Sequence, residues 1–176
     1  MMWVIGILLV VLVYGVSLYN GIVYAQMKVQ EARSGIDVAL AKRYAVLSNM
    51  QESVKGYMRH EKDVLEKLTQ IRSMMSLNEL YQIHQQYQKA EQRLYVLAES
   101  YPELKASELF HDFNEAIVDC EEHLQAARRF YNSNVTLYNE KILTFPSSLF
   151  ASLMHKEQAE FFAADSDEKE QILTKF

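Results

Sequence analysis

Glycine and proline are scarce in this sequence, five and two among 176 residues. A chain so poor in turn formers does not provide for the many reversals of a sheet protein, and long continuous helices are the geometry most open to it. Cysteine is represented by Cys120 alone, so no internal disulfide can close. That residue falls on an apolar helical stripe, where a free thiol packs as a small hydrophobe, and the composition leans toward a reducing compartment. Charge of one sign gathers nowhere. The net charge of −5 is spread along the chain, and the lack of a basic face argues against nucleic acid as a partner. Metal and nucleophile patterns are missing as well: His60, His84, His123 and His155 lack the paired spacing of a zinc site, and no Ser, Cys and His arrangement marks a nucleophile. Glu108-x-x-His111 has the spacing of a di-iron ligand pair, but such a site needs a second copy of the motif and two facing glutamates, and no second copy exists. Neither catalysis by this chain alone nor a cofactor is expected.

Charge of either sign is also absent before Lys28. The hydrocarbon core of a bilayer, roughly 30 Å thick, is crossed by about 20 helical residues, and the run from Met1 to Tyr19 supplies them. A cleaved secretory signal would open on a basic region and carry a shorter apolar core, whereas here Trp3, Tyr19 and Tyr24 stand where interfacial aromatics belong. The segment is read as an uncleaved anchor at 1–24, followed by a helical domain at 25–164 and a polar tail at 165–176 that is expected to be mobile. Lys28, Arg33, Lys42 and Arg43 flank the exit side, and no Lys or Arg precedes the entry side, so the positive-inside rule puts the domain in the cytoplasm. These basic residues are too dispersed for a dedicated lipid-binding cluster. No other window is apolar enough to cross again.

The periodicity beyond the anchor is regular. Ile36, Leu40, Arg43, Leu47, Met50, Val54, Tyr57, Glu61, Val64, Leu68, Ile71 and Met75 alternate steps of four and three, keeping one seam on one face of a helix that runs from the anchor to Met75. Ser76-Leu77-Asn78-Glu79 then reads as a capping box opening a second helix with Leu80, Ile83, Tyr87, Ala90, Leu94 and Leu97 on its seam. That helix ends before Tyr101-Pro102, and the proline opens a third one reaching Phe145. Its stripe is Phe110, Phe113, Ile117, Cys120, Leu124, Ala127, Tyr131, Val135, Tyr138, Ile142 and Phe145, with a stutter from Ala127 through Val135. A weaker helical stretch is expected from Ser147 to Ala164. The fold class is therefore all-α: one N-terminal transmembrane helix and an antiparallel bundle of long helices with coiled-coil seams. The second helix covers only half of either neighbour. Either a long helix bends, near Ser48-Asn49 or Gly56, or the uncovered seam pairs with another copy, so a homo-oligomer is one expected assembly.

Polar residues that interrupt these stripes need partners. Arg43 and Glu61 lie on an otherwise apolar seam, where an unpaired buried charge is strongly disfavoured. Such pairs fix helix register on the structural reading and bind a partner or switch conformation on the functional one. Tyr131-Asn132 and Tyr138-Asn139 repeat at seven residues, placing two asparagines on one flank. Asparagine is a poor helix former, so its recurrence predicts side-chain hydrogen bonds to a neighbouring helix, and a ligand groove of tyrosine hydroxyls and amides is the alternative.

Taken together, Tyr19-Asn20, Ile36-Asp37-Val38, Lys42-Arg43, Val54-Lys55-Gly56-Tyr57, His60-Glu61, Arg72, Tyr101-Pro102-Glu103-Leu104, Glu121, Ala127-Arg128, the two Tyr-Asn pairs and Phe145-Pro146 resemble the bacterial LemA family. The resemblance implies a single-pass protein of the bacterial cell membrane with a largely cytosolic helical bundle and no established enzymatic activity. It adds Asp37, Arg72, Glu121 and Arg128 to the interaction candidates. Seam position and the resemblance together pair Glu61 with Arg128 or Arg72, and Arg43 or Arg72 with Glu121. The chain departs from the family pattern at Ser48, where relatives carry proline, and at Leu153-Met154-His155, where they carry a glycine-phenylalanine step. The function expected is a membrane-tethered helical interaction or scaffold protein that recruits copies of itself or partner helices. An adaptor or regulator of a membrane protease or another membrane enzyme is the alternative.

Overall fold

A computed structural model describes residues 2–55, 68–70 and 75–162, and every regular element among them is an α-helix. These are α1 (Met2–Val54), α2 (Leu77–Ser100), α3 (Pro102–Lys105), α4 (Glu108–Leu143) and α5 (Ser147–Leu153). The expectations for Tyr57, Glu61, Val64, Ile71 and Arg72, and for the tail at 165–176, lie outside the described residues. The chain forms two compact units: one is Ser34–Arg128, and the other joins Met1–Arg33 to Arg129–Phe176.

In the unit Ser34–Arg128 the seams are buried as their spacing requires. Ile36, Leu40, Leu47, Met50 and Val54 of α1 are buried, with Arg43 among them. So are Leu80, Ile83, Tyr87, Ala90, Leu94 and Leu97 of α2, and Phe110, Phe113, Ile117, Cys120 and Leu124 of α4. Aromatic rings seal the contact of α2 with α4: Tyr95 meets Phe110 edge-on at 5.8 Å between centroids and Phe113 at 6.1 Å. Direction follows from which residues meet. Arg43 reaches Glu121 while Gly35 faces Ala127, so α4 runs antiparallel to α1. Tyr95 meets Phe110 while Glu91 shares Arg43 with Glu121, so α4 runs antiparallel to α2 as well. Within this unit α1 and α2 therefore point the same way.

That arrangement corrects the expected first helix. It stops at Val54 rather than at Met75, two residues before Gly56, a poor helix former, and Leu68–Gln70 are not helical. Leu68 is still buried, as the seam demanded, but the main chain beside it is satisfied across α2 instead of along a helix. The Thr69 amide donates to Gln86 Oε1 at 3.3 Å, and the Thr69 carbonyl accepts from the Tyr87 hydroxyl at 2.8 Å. Burial of that hydroxyl pushes its pKa well above the ordinary phenol value.

Helix α2 begins as predicted, with both halves of the capping box made: Ser76 Oγ accepts from the Glu79 amide at 3.2 Å and Glu79 Oε2 accepts from the Ser76 amide at 2.6 Å. The Ser76 hydroxyl, donating to Glu79 Oε2 at 2.7 Å, and then the Ser76 amide hold the Glu79 carboxyl below its usual pKa. The third predicted helix is divided in two. Pro102 opens the single turn α3, and Ser107 restarts the chain as α4, its Oγ accepting from the Phe110 amide while donating to the Leu104 carbonyl at 2.6 Å.

In the unit formed by Met1–Arg33 and Arg129–Phe176, Ile22, Tyr138, Ile142 and Ala151 make the core, with Ala25, Val29, Phe150, Met154 and Ala159 packed on it. Helix α4 ends at Leu143, where Ser147 Oγ donates to the Lys141 carbonyl at 2.6 Å and to that of Thr144 at 3.0 Å, satisfying acceptors the helix end leaves free. Phe145, expected on the buried stripe, is 81% exposed, because the helix that would have aimed it inward has ended. The stretch expected to be helical to Ala164 stops at Leu153. Its end is a Schellman motif: Lys156 N–H reaches the Ala151 carbonyl at 2.9 Å and His155 N–H that of Ser152 at 3.1 Å, with His155 at φ 50°. Residues 156–162 continue without regular structure.

The left-handed position at His155 is one where a Cβ is unfavourable, and glycine is not so penalised. His155→Gly is therefore expected to raise the unfolding free energy by up to roughly 1 kcal/mol. Urea denaturation of the two proteins side by side checks this, and a loss of stability would show that the imidazole contributes more than its backbone strain costs.

Candidate functional site

Two groups of buried polar residues stand out, one in each unit. In the unit Ser34–Arg128 the centre is Arg43 of α1, whose side chain is 4% exposed. Its Nη2 donates to Glu91 Oε2 on α2 at 2.6 Å, and its Nη1 donates to Glu121 Oε2 on α4 at 2.7 Å. His84 Nδ1, also on α2, lies 3.4 Å from Nη1. A guanidinium offers only donors, so this contact requires a lone pair on Nδ1 and leaves the proton of the neutral ring on Nε2. One planar cation thus ties three helices together at a fixed height. Charge-assisted bonds of this kind are the stronger hydrogen bonds of proteins, and the fork geometry of arginine makes them directional.

On the surface, one residue before Arg43, Lys42 pairs with Asp119, whose other oxygen His123 approaches at 3.3 Å. The pair is exposed; its hydrogen bond holds the Asp119 carboxyl below and the Lys42 ammonium above their ordinary values. Cys120 beside it is buried, and desolvation pushes its thiol up, which makes it a poor nucleophile.

In the other unit, the two Tyr-Asn pairs of α4 hold the chain that follows α5. Asn139 Nδ2 donates to the Ala159 carbonyl at 3.0 Å while Asn139 Oδ1 accepts from the Ala159 amide at 2.8 Å. Asn132 does the same to Phe162, at 3.1 and 2.9 Å. The Tyr138 hydroxyl donates to the Glu157 carbonyl at 3.1 Å and that of Tyr131 to the Glu160 carbonyl at 2.9 Å. Each Tyr-Asn pair therefore grips three consecutive residues, Glu157–Ala159 and then Glu160–Phe162. Seven helical residues rise about 10.5 Å, close to the roughly 10 Å spanned by three extended ones, so the two repeats stay in step. Burial raises the pKa of both phenols, which keeps their donating protons in place. Lys156 adds a tie to Gln26 of α1 at 2.7 Å.

Of the residues singled out in the sequence, Arg43 and Glu121 meet, and Tyr131, Asn132, Tyr138 and Asn139 act as one device. The asparagines were expected to bond to a neighbouring helix; they bond instead to non-helical main chain. A residue inside a helix has its N–H and C=O already used, and only an irregular segment offers both to one amide. Asp37 is half-buried on α1, and Arg128 is buried at the end of its unit, 7% exposed. The pairings expected for Glu61 and Arg72 fall outside the described residues. Glu91 and His84 were missed. The signal available was their spacing: each follows a seam residue, Ala90 and Ile83, and they stand seven apart, on the flank that a charge on α1 would face. Glu108 and His111 are both exposed on α4, and among the described residues no three His, Cys, Asp or Glu side chains gather where a metal ion would sit.

All-helical architecture, a first helix long and apolar enough to cross a membrane, and buried polar groups spent on holding the chain's own segments define a helical-bundle protein with an anchor-like leading helix. The family model for the LemA family matches residues 32–176, and the chain belongs to that family. It is similar to Protein LemA of Metamycoplasma hominis, 32% identical over 160 residues that cover 88% of this chain and 73% of the relative.

Removing the arginine leaves two carboxylates facing each other in a partly buried site. Arg43→Leu is expected to destabilise the protein by about 3 kcal/mol, and replacing Glu91 and Glu121 by leucine in the same chain to restore much of it. Chemical denaturation of the single and triple variants reads both effects. For the ladder, Asn139→Ala removes two hydrogen bonds of roughly 1 kcal/mol each, and the loss is local. Limited proteolysis should cut faster between Lys156 and Phe162, with the thermal midpoint of the unit Ser34–Arg128 unchanged.

Proposed function

We propose that this chain is a single-pass, membrane-anchored helical scaffold of the LemA type, without catalysis of its own, whose helical domain faces the cytoplasm and associates with further copies of itself. The observation that carries this reading is the exposure of the leading part of α1. Every residue from Met2 to Tyr14 is exposed, including Trp3 at 88% and Val10 at 69%, although all are apolar. A continuous apolar surface of that length is at home in hydrocarbon and not in water. The same helix continues into the buried seam from Ile36 to Val54, so whatever holds its first part holds the packed domain.

Orientation rests on Lys28, Arg33, Lys42 and Arg43 beyond the apolar stretch. Absence of catalysis is supported by the use made of the buried polar groups: Arg43 is tied to Glu91 and Glu121, and the Tyr-Asn pairs are occupied by the chain itself. Anchoring would also raise the local concentration of copies in the plane of the bilayer, which favours contacts too weak to persist in solution.

Fractionation of cells producing the full chain, and a variant without residues 2–24, tests the reading. The full chain should sediment with membranes and resist alkaline extraction, the shortened one should not, and a C-terminal tag should be digested only after the cells are opened. Crosslinking in the membrane should give multiples of the chain. Full-length protein in the supernatant would overturn the anchor; stoichiometric recovery of another membrane enzyme would replace the scaffold by an adaptor.

A further inference from the structure

We infer that the corner between α4 and α5 is a second lipid-contacting surface, seated at the boundary of headgroups and acyl chains beside the anchor. This rests on the membrane-anchored reading above and adds a separate site to it. From Ile142 to Met154 the chain carries no charged residue, bounded by Lys141 on one side and by His155-Lys156 on the other. Four large apolar side chains of this stretch stand in the open: Leu143, Phe145, Leu149 and Leu153, with Phe145 and Leu153 exposed at 81% and 79%. The inward face of the same stretch is satisfied, since Ile142 and Ala151 lie in the core with Ile22, and Ser147 is bonded to the end of α4. The corner is thus amphipathic in the sense of a surface-seated element: one side belongs to the fold and the other to an apolar medium.

Its position along α1 says which medium. The Phe150 ring lies 3.3 Å from where a Cβ on Gly15 would stand, inside the apolar run of the anchor. A Cβ there would sit tightly against the ring, which would have to give by a few tenths of an ångström. Six residues further along α1, the Lys141 ammonium lies 3.1 Å from the corresponding point on Gly21, and Lys156 bonds Gln26. The order along α1 is therefore apolar corner first and lysines second, and Tyr24 and Lys28 share one cleft with Lys141 and Thr144 at the lysine level. An anchor embedded through Tyr19 carries α5 with it into the bilayer boundary. The lysines are then placed where their stems follow apolar surface and their ammonium groups reach headgroup phosphates.

Tryptophan quenching in vesicles separates this inference from the anchor. Trp3 is the chain's only tryptophan, so it reports the anchor in the native protein, and Leu149→Trp or Leu153→Trp in a Trp3→Phe background reports the corner. Both are exposed positions that tolerate a larger side chain. The full chain is reconstituted in phosphatidylcholine vesicles with or without bromine high on the acyl chains. Expected is a blue-shifted emission for both corner variants that is lost with brominated lipid, as for Trp3. Quenching of Trp3 with no change for either corner variant would overturn the inference and leave the anchor standing. A blue shift equal in plain and brominated vesicles would overturn it too, since protein and not lipid would then cover the corner. If Trp3 itself is not quenched, both readings fall.

Discussion

A guanidinium that has left water must find its charge answered, and at Arg43 the answer comes from two other helices. The unit Ser34–Arg128 is organised around that requirement. Apolar seams bury area but tolerate sliding, because one leucine resembles the next, whereas two short charge-assisted bonds from a single planar group allow one height for α1 against α2 and α4. Cohesion comes from the seams, and the alignment of the three helices from the arginine. The desolvation of the ions makes the pair a weak source of net stability, so its value lies in specificity.

The other unit solves a different problem with neutral groups. A chain that leaves α5 without regular structure has main-chain donors and acceptors to satisfy, and α4 supplies them from side chains spaced by a heptad. Tyrosine and asparagine serve this use for distinct reasons. The amide matches a backbone N–H and C=O at once, and the phenol brings a proton that stays bound at any ordinary pH, since burial holds it there. Neither group carries a charge that would have to be neutralised.

Much of this was legible from spacing. The steps of three and four marked every buried residue of α1 from Ile36 to Val54 except Ala39, and the whole stripe of α2, because helical period and burial are the same fact seen twice. Arg43 was legible for the opposite reason, an interruption, and Glu121 through the family resemblance. What escaped were the places where helix gives way. Periodicity carries no term for a competing partner, so it ran on past Val54, where α1 ends, and over Ser107 and Leu153, where a serine oxygen and a Schellman turn intervene. Phe145 was misread on the same ground, since a stripe has meaning only while the helix lasts. Glu91 and His84 stood off the seam, and a rule that looks for apolar residues does not see the acids beside them.

The Tyr-Asn grip on residues 157–162 touches main chain at every one of its six bonds. Such a clasp is indifferent to what the held residues are and sensitive to how many there are. Evolution is thereby free to rewrite the letters at Glu157, Gln158, Glu160 and Phe161, whereas dropping or adding a single one would throw the triplets out of frame with the heptad. Length, more than composition, is what the clasp constrains in this segment.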